Sequence, residues 1–189
     1  MALKVVTPPA VEPVTLQEAK DHLRVDTENE DALISQTIVA ARKWCEVYSG
    51  LAFVTTVFDY YGDRLPALFE LPRAPLQSVE SIKHLDADGV LQTVSSSVYR
   101  VDAISAPARI ALGYGQYWPD TQDVVNSVVV RFTAGYGDAA ADVPENLRQA
   151  ILIMTAELYE QRQQSVAQTL QQVPFTVRAL LDTDRVASF

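Results

Sequence analysis

Apolar residues between Ile34 and Tyr48 recur at spacings of four, three, four and three: Ile34, Ile38, Ala41, Cys45 and Tyr48. That is the period of one helix face, and it predicts an amphipathic helix over about 29–49. Leu33, Ala40, Trp44 and Val47 broaden the stripe. Gly50 follows it, where a left-handed C-cap would sit. Two capping boxes, Thr15 with Glu18 and Thr27 with Glu30, predict the starts of two helices. The first is short, about 15–24, with Leu16, Ala19 and Leu23 on one face.

The period then changes. Phe53 to Phe58 is rich in β-branched and aromatic residues, as strands are. Val79 to Leu85 and Val90 to Val94 flank Asp86-Ala87-Asp88-Gly89, a hairpin signal. Val98 to Val101, Arg109 to Leu112 and Val124 to Phe132 are further strands, so the middle reads as an antiparallel meander. Helical spacing returns after Val143-Pro144, with Leu147, Ile151, Met154 and Leu158 in line. Asp142 with Glu145 is placed to cap that helix. Leu152 and Ile153 fall off its stripe, which points to burial on two sides or against a neighbouring subunit. Gln161 to Gln172 is glutamine-rich, and hydrophobicity resumes at Val173. The expected fold is α+β. A helical bundle (helices about 15–24, 29–49 and 145–163) is interrupted by a small antiparallel β insertion (about 52–133) and ends in a C-terminal docking tail.

Composition narrows the function. The net charge is −9, and the lysines, Lys4, Lys20, Lys43 and Lys83, are scattered. A grip on nucleic acid needs clustered cations to displace phosphate counterions, so specific DNA binding is not expected. The longest clearly apolar stretch, Ala150 to Met154, is far below the about 20 residues of a membrane span. The first residues form no signal-peptide core and read as a Pro-rich extended arm. Cys45 is the only cysteine, so no intrachain disulfide is possible.

Thr133-Ala134-Gly135-Tyr136-Gly137-Asp138 invites two chemical readings. As a channel filter it would need pore helices in a bilayer. As a dinucleotide loop, Gly135-x-Gly137-x-x-Ala140 would have to open directly into a helix, but the helix is expected only at Pro144. A turn releasing the last strand is the better reading, with both glycines supplying backbone angles that side chains forbid. Asp86 to Gly89 lacks the sixth and twelfth residues of a calcium loop. His22 and His84 lie far apart, with no metal-ligand spacing. No catalytic, metal or cofactor residue is assigned and no cofactor is expected.

Three stretches together resemble the head–tail connector (adaptor) proteins of long-tailed phages and phage-like gene transfer agents. They are PPAVEPVTLQEAKDHLRVD followed by EDALISQTIVAARKWCEVYSG, then VVVRFTAGYGDAAADVPENLRQAILIMTAELYEQRQ, then VPFTVRALLDTDRV. The resemblance implies a non-enzymatic virion protein, made in the host cytoplasm and placed at the capsid vertex. It implies a homo-oligomeric ring of about twelve copies beneath the portal protein. Such a ring would extend the DNA channel and carry the stopper or tail completion protein. An acidic lumen would let genome DNA pass without specific binding, and no membrane is involved. On this view residues 1–164 form a single connector domain and 165–189 an extended C-terminal tail. The tail is the candidate for docking on the portal, through Pro174, Phe175, Val177, Arg178, Leu180, Leu181 and Arg185. The Gly113–Pro119 loop, with Tyr114, Gln116, Tyr117 and Trp118, is the candidate contact for the next ring. Two other readings stand beside it. One is an enzyme using acids at the sheet edge. The other is a helix-turn-helix regulator, against which Glu28, Glu30 and Asp31 crowd the start of the recognition helix.

Overall fold

The computed structural model describes residues 2–160 and 174–186. In chain order its elements are β1 (Ala2–Thr7), α1 (Leu16–Leu23), α2 (Asp31–Ser49), β2 (Thr56–Gly62), β3 (Leu68–Glu70), β4 (Leu76–Leu85), β5 (Leu91–Thr93), β6 (Tyr99–Asp102), β7 (Arg109–Leu112), β8 (Val128–Ala134), α3 (Glu145–Glu160) and α4 (Phe175–Asp182). The α+β class expected from periodicity is what the chain adopts. It divides into two compact units. One is built on the chain up to Pro9 and Thr55–Tyr136, the other on Ala10–Val54 and Gly137–Arg185.

The second unit is helical. At the start of α1 the Thr15 hydroxyl accepts the Glu18 N–H at 3.2 Å, and the Glu18 carboxylate accepts the Thr15 N–H at 2.8 Å. The box expected at Thr27 does not form. Helix α2 begins at Asp31 behind Glu30, with no side-chain cap. Glu30 is instead engaged by the Tyr159 hydroxyl of α3, and Asp31 pairs with Lys20 of α1 at 2.6 Å. Tertiary partners outcompete the local cap. Ile34, Ile38, Ala41 and Cys45 of α2 are buried, as are Leu147, Ala150 and Ile151 of α3, and these two helices pack together. Helix α1 lies against both, and α4 lies against α3 and α2. The expected end of the third helix, residues 161–163, lies outside the described residues.

Pro144 opens α3, its carbonyl accepting the N–H of Leu147 at 3.0 Å and of Arg148 at 3.1 Å. Asp142 does not cap this helix. Its carboxylate accepts the Ala139 N–H at 2.9 Å and closes the preceding single turn of 3-10 helix.

The first unit holds two antiparallel sheets, one in the order β1-β2-β8-β4-β5 and one in the order β3-β7-β6. The meander expected from the sequence is therefore not what forms. The last strand, β8, sits at the centre of the larger sheet. Val128, Val130, Phe132 and Ala134 are all buried, so one face of β8 packs into the core, while β2 and β4 pair with its two edges. Phe132 lies directly opposite Phe58 of β2, and their rings stack at 5.4 Å. The N-terminal arm is also more than an extended lead-in. Ala2–Thr7 joins the larger sheet as an edge strand on β2 before Pro8 and Pro9 end it. The Asp86–Gly89 hairpin forms as expected, with the Gly89 N–H bonded to the Asp86 carbonyl at 3.0 Å.

The chain leaves the β unit at Tyr136 and enters the helical one at Gly137. The two glycines of this turn are required for different reasons. Gly135 has φ of 140°, which disfavours any side chain, and its N–H bonds the Pro75 carbonyl at 2.9 Å. Gly137 has no such angle. A Cβ there would lie 2.2 Å from the Asp142 carboxylate, so glycine is needed for close approach.

Candidate functional site

In the β unit, the loop after β7 turns at Gly113, whose carbonyl accepts the Gln116 N–H at 3.0 Å. Tyr114 is 100% exposed and Tyr117 84% exposed, and Gln116 is exposed beside them. Trp118 is not on the exposed tip. It is half-buried, 6.3 Å from the Tyr99 ring and 6.5 Å from the Phe69 ring. Its indole N–H donates to the Pro66 carbonyl at 2.9 Å. Trp118 therefore fastens the loop to the small sheet while two tyrosines project from it.

A second projecting tip escaped the sequence reading. Between β6 and β7 the Asp102 carboxylate accepts the N–H groups of Ile104 at 3.0 Å and Ser105 at 3.1 Å. It also accepts the Ser105 hydroxyl at 2.7 Å and the Arg109 guanidinium at 2.6 Å. The Ser105 hydroxyl first, then Arg109 and the backbone donors, hold the Asp102 carboxyl well below the usual carboxylate range. The result is a fastened turn carrying Ile104, which is 98% exposed. The readable signal was Asp102 three residues before Ser105, a pair suited to a side-chain-closed turn.

In the helical unit the tail departs from expectation. Residues from Phe175 to Asp182 are a helix, not an extended segment. Val177 and Leu181, one turn apart, are completely buried and anchor this helix to its own unit. Periodicity explains the change, because a segment with one apolar face gains more by folding onto α3 than by staying extended. Asn146 of α3 donates to the Leu180 carbonyl at 3.2 Å and to Asp184 at 2.6 Å, fixing the helix end. Tyr48 donates to Asp182 at 3.0 Å, and the Arg185 guanidinium lies 4.7 Å over the Tyr48 ring. Of the expected docking residues, Phe175 stays 84% exposed, Arg178 and Leu180 are half-buried, and Pro174 sits at the helix N-cap. The two candidate patches thus belong to different units.

Chemistry is sparse. Among the described residues, no three His, Cys, Asp or Glu side chains gather in a way that could hold a metal ion, and no helix is long and apolar enough to cross a membrane. His84 is buried on β4 and His22 is exposed on α1. Burial pushes the Cys45 thiol up to about 12, which keeps it protonated and unreactive. The strongest ionic groups tie elements together. The Arg131 guanidinium of β8 binds both oxygens of the buried Asp59 carboxylate of β2 at 2.8 Å. Arg148 of α3 spans Glu18 and the Pro13 carbonyl. The site is a set of surfaces, with no reaction centre assigned to it.

Residues 13–106 match the family model of phage gp6-like head–tail connector proteins. The chain belongs to the head–tail connector family. Solved structures similar to this connector extend the likeness over the whole chain. A chain from the neck of an empty gene transfer agent particle, computed with C6 symmetry, is 28% identical with a TM-score of 0.82. The match covers 100% of this chain and 97% of that one. A chain from the virion of a native gene transfer agent particle gives 28% and 0.81 over the same coverage. One from the neck of the native particle, computed with C12 symmetry, gives 28% and 0.79, again covering 100% and 97%. No curated protein matches the connector in sequence.

Proposed function

We infer that this connector is a structural subunit of a ring in the neck of a phage or gene transfer agent particle. The ring, of about twelve copies, binds under the portal protein, extends the DNA channel and carries the stopper or tail completion protein. One observation carries the reading: the end-to-end likeness to neck subunits whose particles were computed with C6 and C12 symmetry. Charge supports the channel role. Asp21, Asp26 and Glu28, on α1 and the link to α2, are exposed in a chain of net charge −9. Such a lining would repel a passing duplex and keep it from sticking.

The two patches suit two partners. The outer side of α4, with Phe175 exposed and Arg178 and Leu180 half-buried, is the portal-docking candidate, with Pro174 and Arg185 at its ends. Val177 and Leu181 serve it indirectly, by holding the helix in place. The loop bearing Tyr114, Gln116 and Tyr117, braced by Trp118, is the contact for the next ring.

The test is electron microscopy of particles from cells expressing Phe175→Ser or the Tyr114→Ser/Tyr117→Ser pair. The first should give heads without a connector ring. The second should give heads with the ring but without tails. Tailed, infectious or transducing particles from both variants would overturn these assignments, and particles whose neck lacks this chain altogether would overturn the ring reading.

A further inference from the structure

Helix α2 is 19 residues long, and its outward side is almost free of charge. Ala32, Leu33, Gln36, Ala40, Lys43 and Val47 are all exposed there, and only Lys43 is ionised. Val47 is 70% exposed. A solvated helix face in so acidic a chain would carry carboxylates, as the link before α2 does. Depletion of charge over a continuous strip marks the centre of an interface.

Helix α3 has a complementary side. Away from its buried row, Leu152, Ile153 and Ala156 are half-buried, and acids stand at both ends, Glu145 and Glu160. Arg148 borders this strip and pairs with Glu145 at 3.0 Å, which leaves Glu160 as the acid at its far end. We propose that the outward face of α2 in one copy packs against the outward face of α3 in the next, and that this contact closes the ring.

Three arguments select a second copy, joined head to tail, as the occupant. The charges are complementary, since the single cation of the α2 strip, Lys43, would meet Glu160 of the α3 strip. A contact of α2 with α2 would instead offer Lys43 no acid, since the exposed strip of α2 carries none. Small side chains on both strips, Ala32, Ala40 and Ala156, allow two helices to approach within about 8–10 Å. Finally, a ring needs two different surfaces on each copy, because a self-paired surface closes at a dimer. The proposal rests on the ring reading above and adds which faces make it.

The experiment is disulfide trapping with Ala40→Cys and Ala156→Cys in the full chain, in purified particles under mild oxidation. The native Cys45 is buried and protonated, so it does not compete. The double variant should give a ladder of covalent multimers on a non-reducing gel, and neither single variant should. Lys43→Glu should lower the trapped fraction about fivefold, and adding Glu160→Lys should restore it. Unfolding curves of each variant check that the fold is intact. A dimer band from Ala40→Cys alone would overturn the proposal, showing a self-paired α2 contact. So would an absent ladder in particles whose neck ring is visible by electron microscopy. Particles with no copy of this chain in the neck would sink the ring reading itself, an outcome that the gel and the microscopy tell apart.

Discussion

Arg42 offers the sharpest test of how the helical unit is held. It lies in the middle of α2 with its side chain 7% exposed, and it serves two carboxylates. Glu12, in the segment before α1, takes Nε at 2.6 Å and Nη2 at 3.1 Å. Glu46, one turn along α2, takes Nη1 at 2.8 Å and also accepts the Phe53 N–H at 3.1 Å. Burial disfavours the guanidinium charge, but the Glu12 hydrogen bond and the two carboxylates outweigh it, so the pKa is raised. Arg42→Met keeps the stem and removes the charge. Removing one partner of a buried pair costs about 3–5 kcal/mol. Glu46 is 14% exposed and Glu12 29%, so solvent screening reduces this to about 2–3 kcal/mol. Urea unfolding followed by Trp44 fluorescence, in a Trp118→Phe background that silences the β unit, reads the cost. The midpoint should fall by about 1 M. Adding Glu12→Gln and Glu46→Gln should recover much of the loss, because the cost is that of stranded carboxylates. A loss below about 0.5 kcal/mol for Arg42→Met would refute the argument, since it would mean that the carboxylates are solvated without their cation.

The β unit should respond to acid through Asp59. The Arg131 hydrogen bond lowers its pKa, outweighing the opposing effect of burial. A depressed carboxyl contributes stability that is present above the unfolded carboxylate value, about 4, and is lost as pH falls through the folded value. Asp59→Asn should flatten that part of a stability–pH curve taken from pH 6 down to about pH 2, and an unchanged slope would count against the pair. Gly137→Ala should destabilise by about 1–3 kcal/mol through overpacking on Asp142, whose carboxylate would lie 2.2 Å from the new Cβ. A thermal melt within error of the parent would show that Asp142 can move away. Trp118→Ala should lower stability by about 2 kcal/mol by removing the Tyr99 and Phe69 contacts, whereas Tyr114→Ala should stay within about 0.5 kcal/mol and impair only tail joining. Equal stability losses in the two variants would contradict the division between brace and tip.

What could be read from residues alone follows the range of the forces involved. The spacing from Ile34 to Tyr48 and the box at Thr15 are local, and α2 and the start of α1 formed where they pointed. The box at Thr27 was equally local and failed, because Tyr159 lies far along the chain and claims Glu30. Strand pairing is non-local by nature. Alternation along Val128–Ala134 shows that the strand is buried on one side of its pleat, but it does not say which strands flank it. The central place of β8 therefore had to come from the fold.

The aromatic loop makes the same point within a few residues. Tyr114, Tyr117 and Trp118 share one composition signal, a cluster of rings among glycines. Only Trp118 has partners within reach, Tyr99 of β6, Phe69 of β3 and the Pro66 carbonyl, each brought near by the pairing of β7 with β3 and β6. The same pairing leaves the tyrosines with nothing to cover them. An aromatic on a loop thus reads as an anchor for a partner only after the sheet has taken the rings it needs for itself. The apolar faces of α2 and α3 obey that rule too: each helix spends one stripe on its own core, and the stripe that remains, apolar along its middle and sparing in charge, is what the proposed neighbouring copy would use.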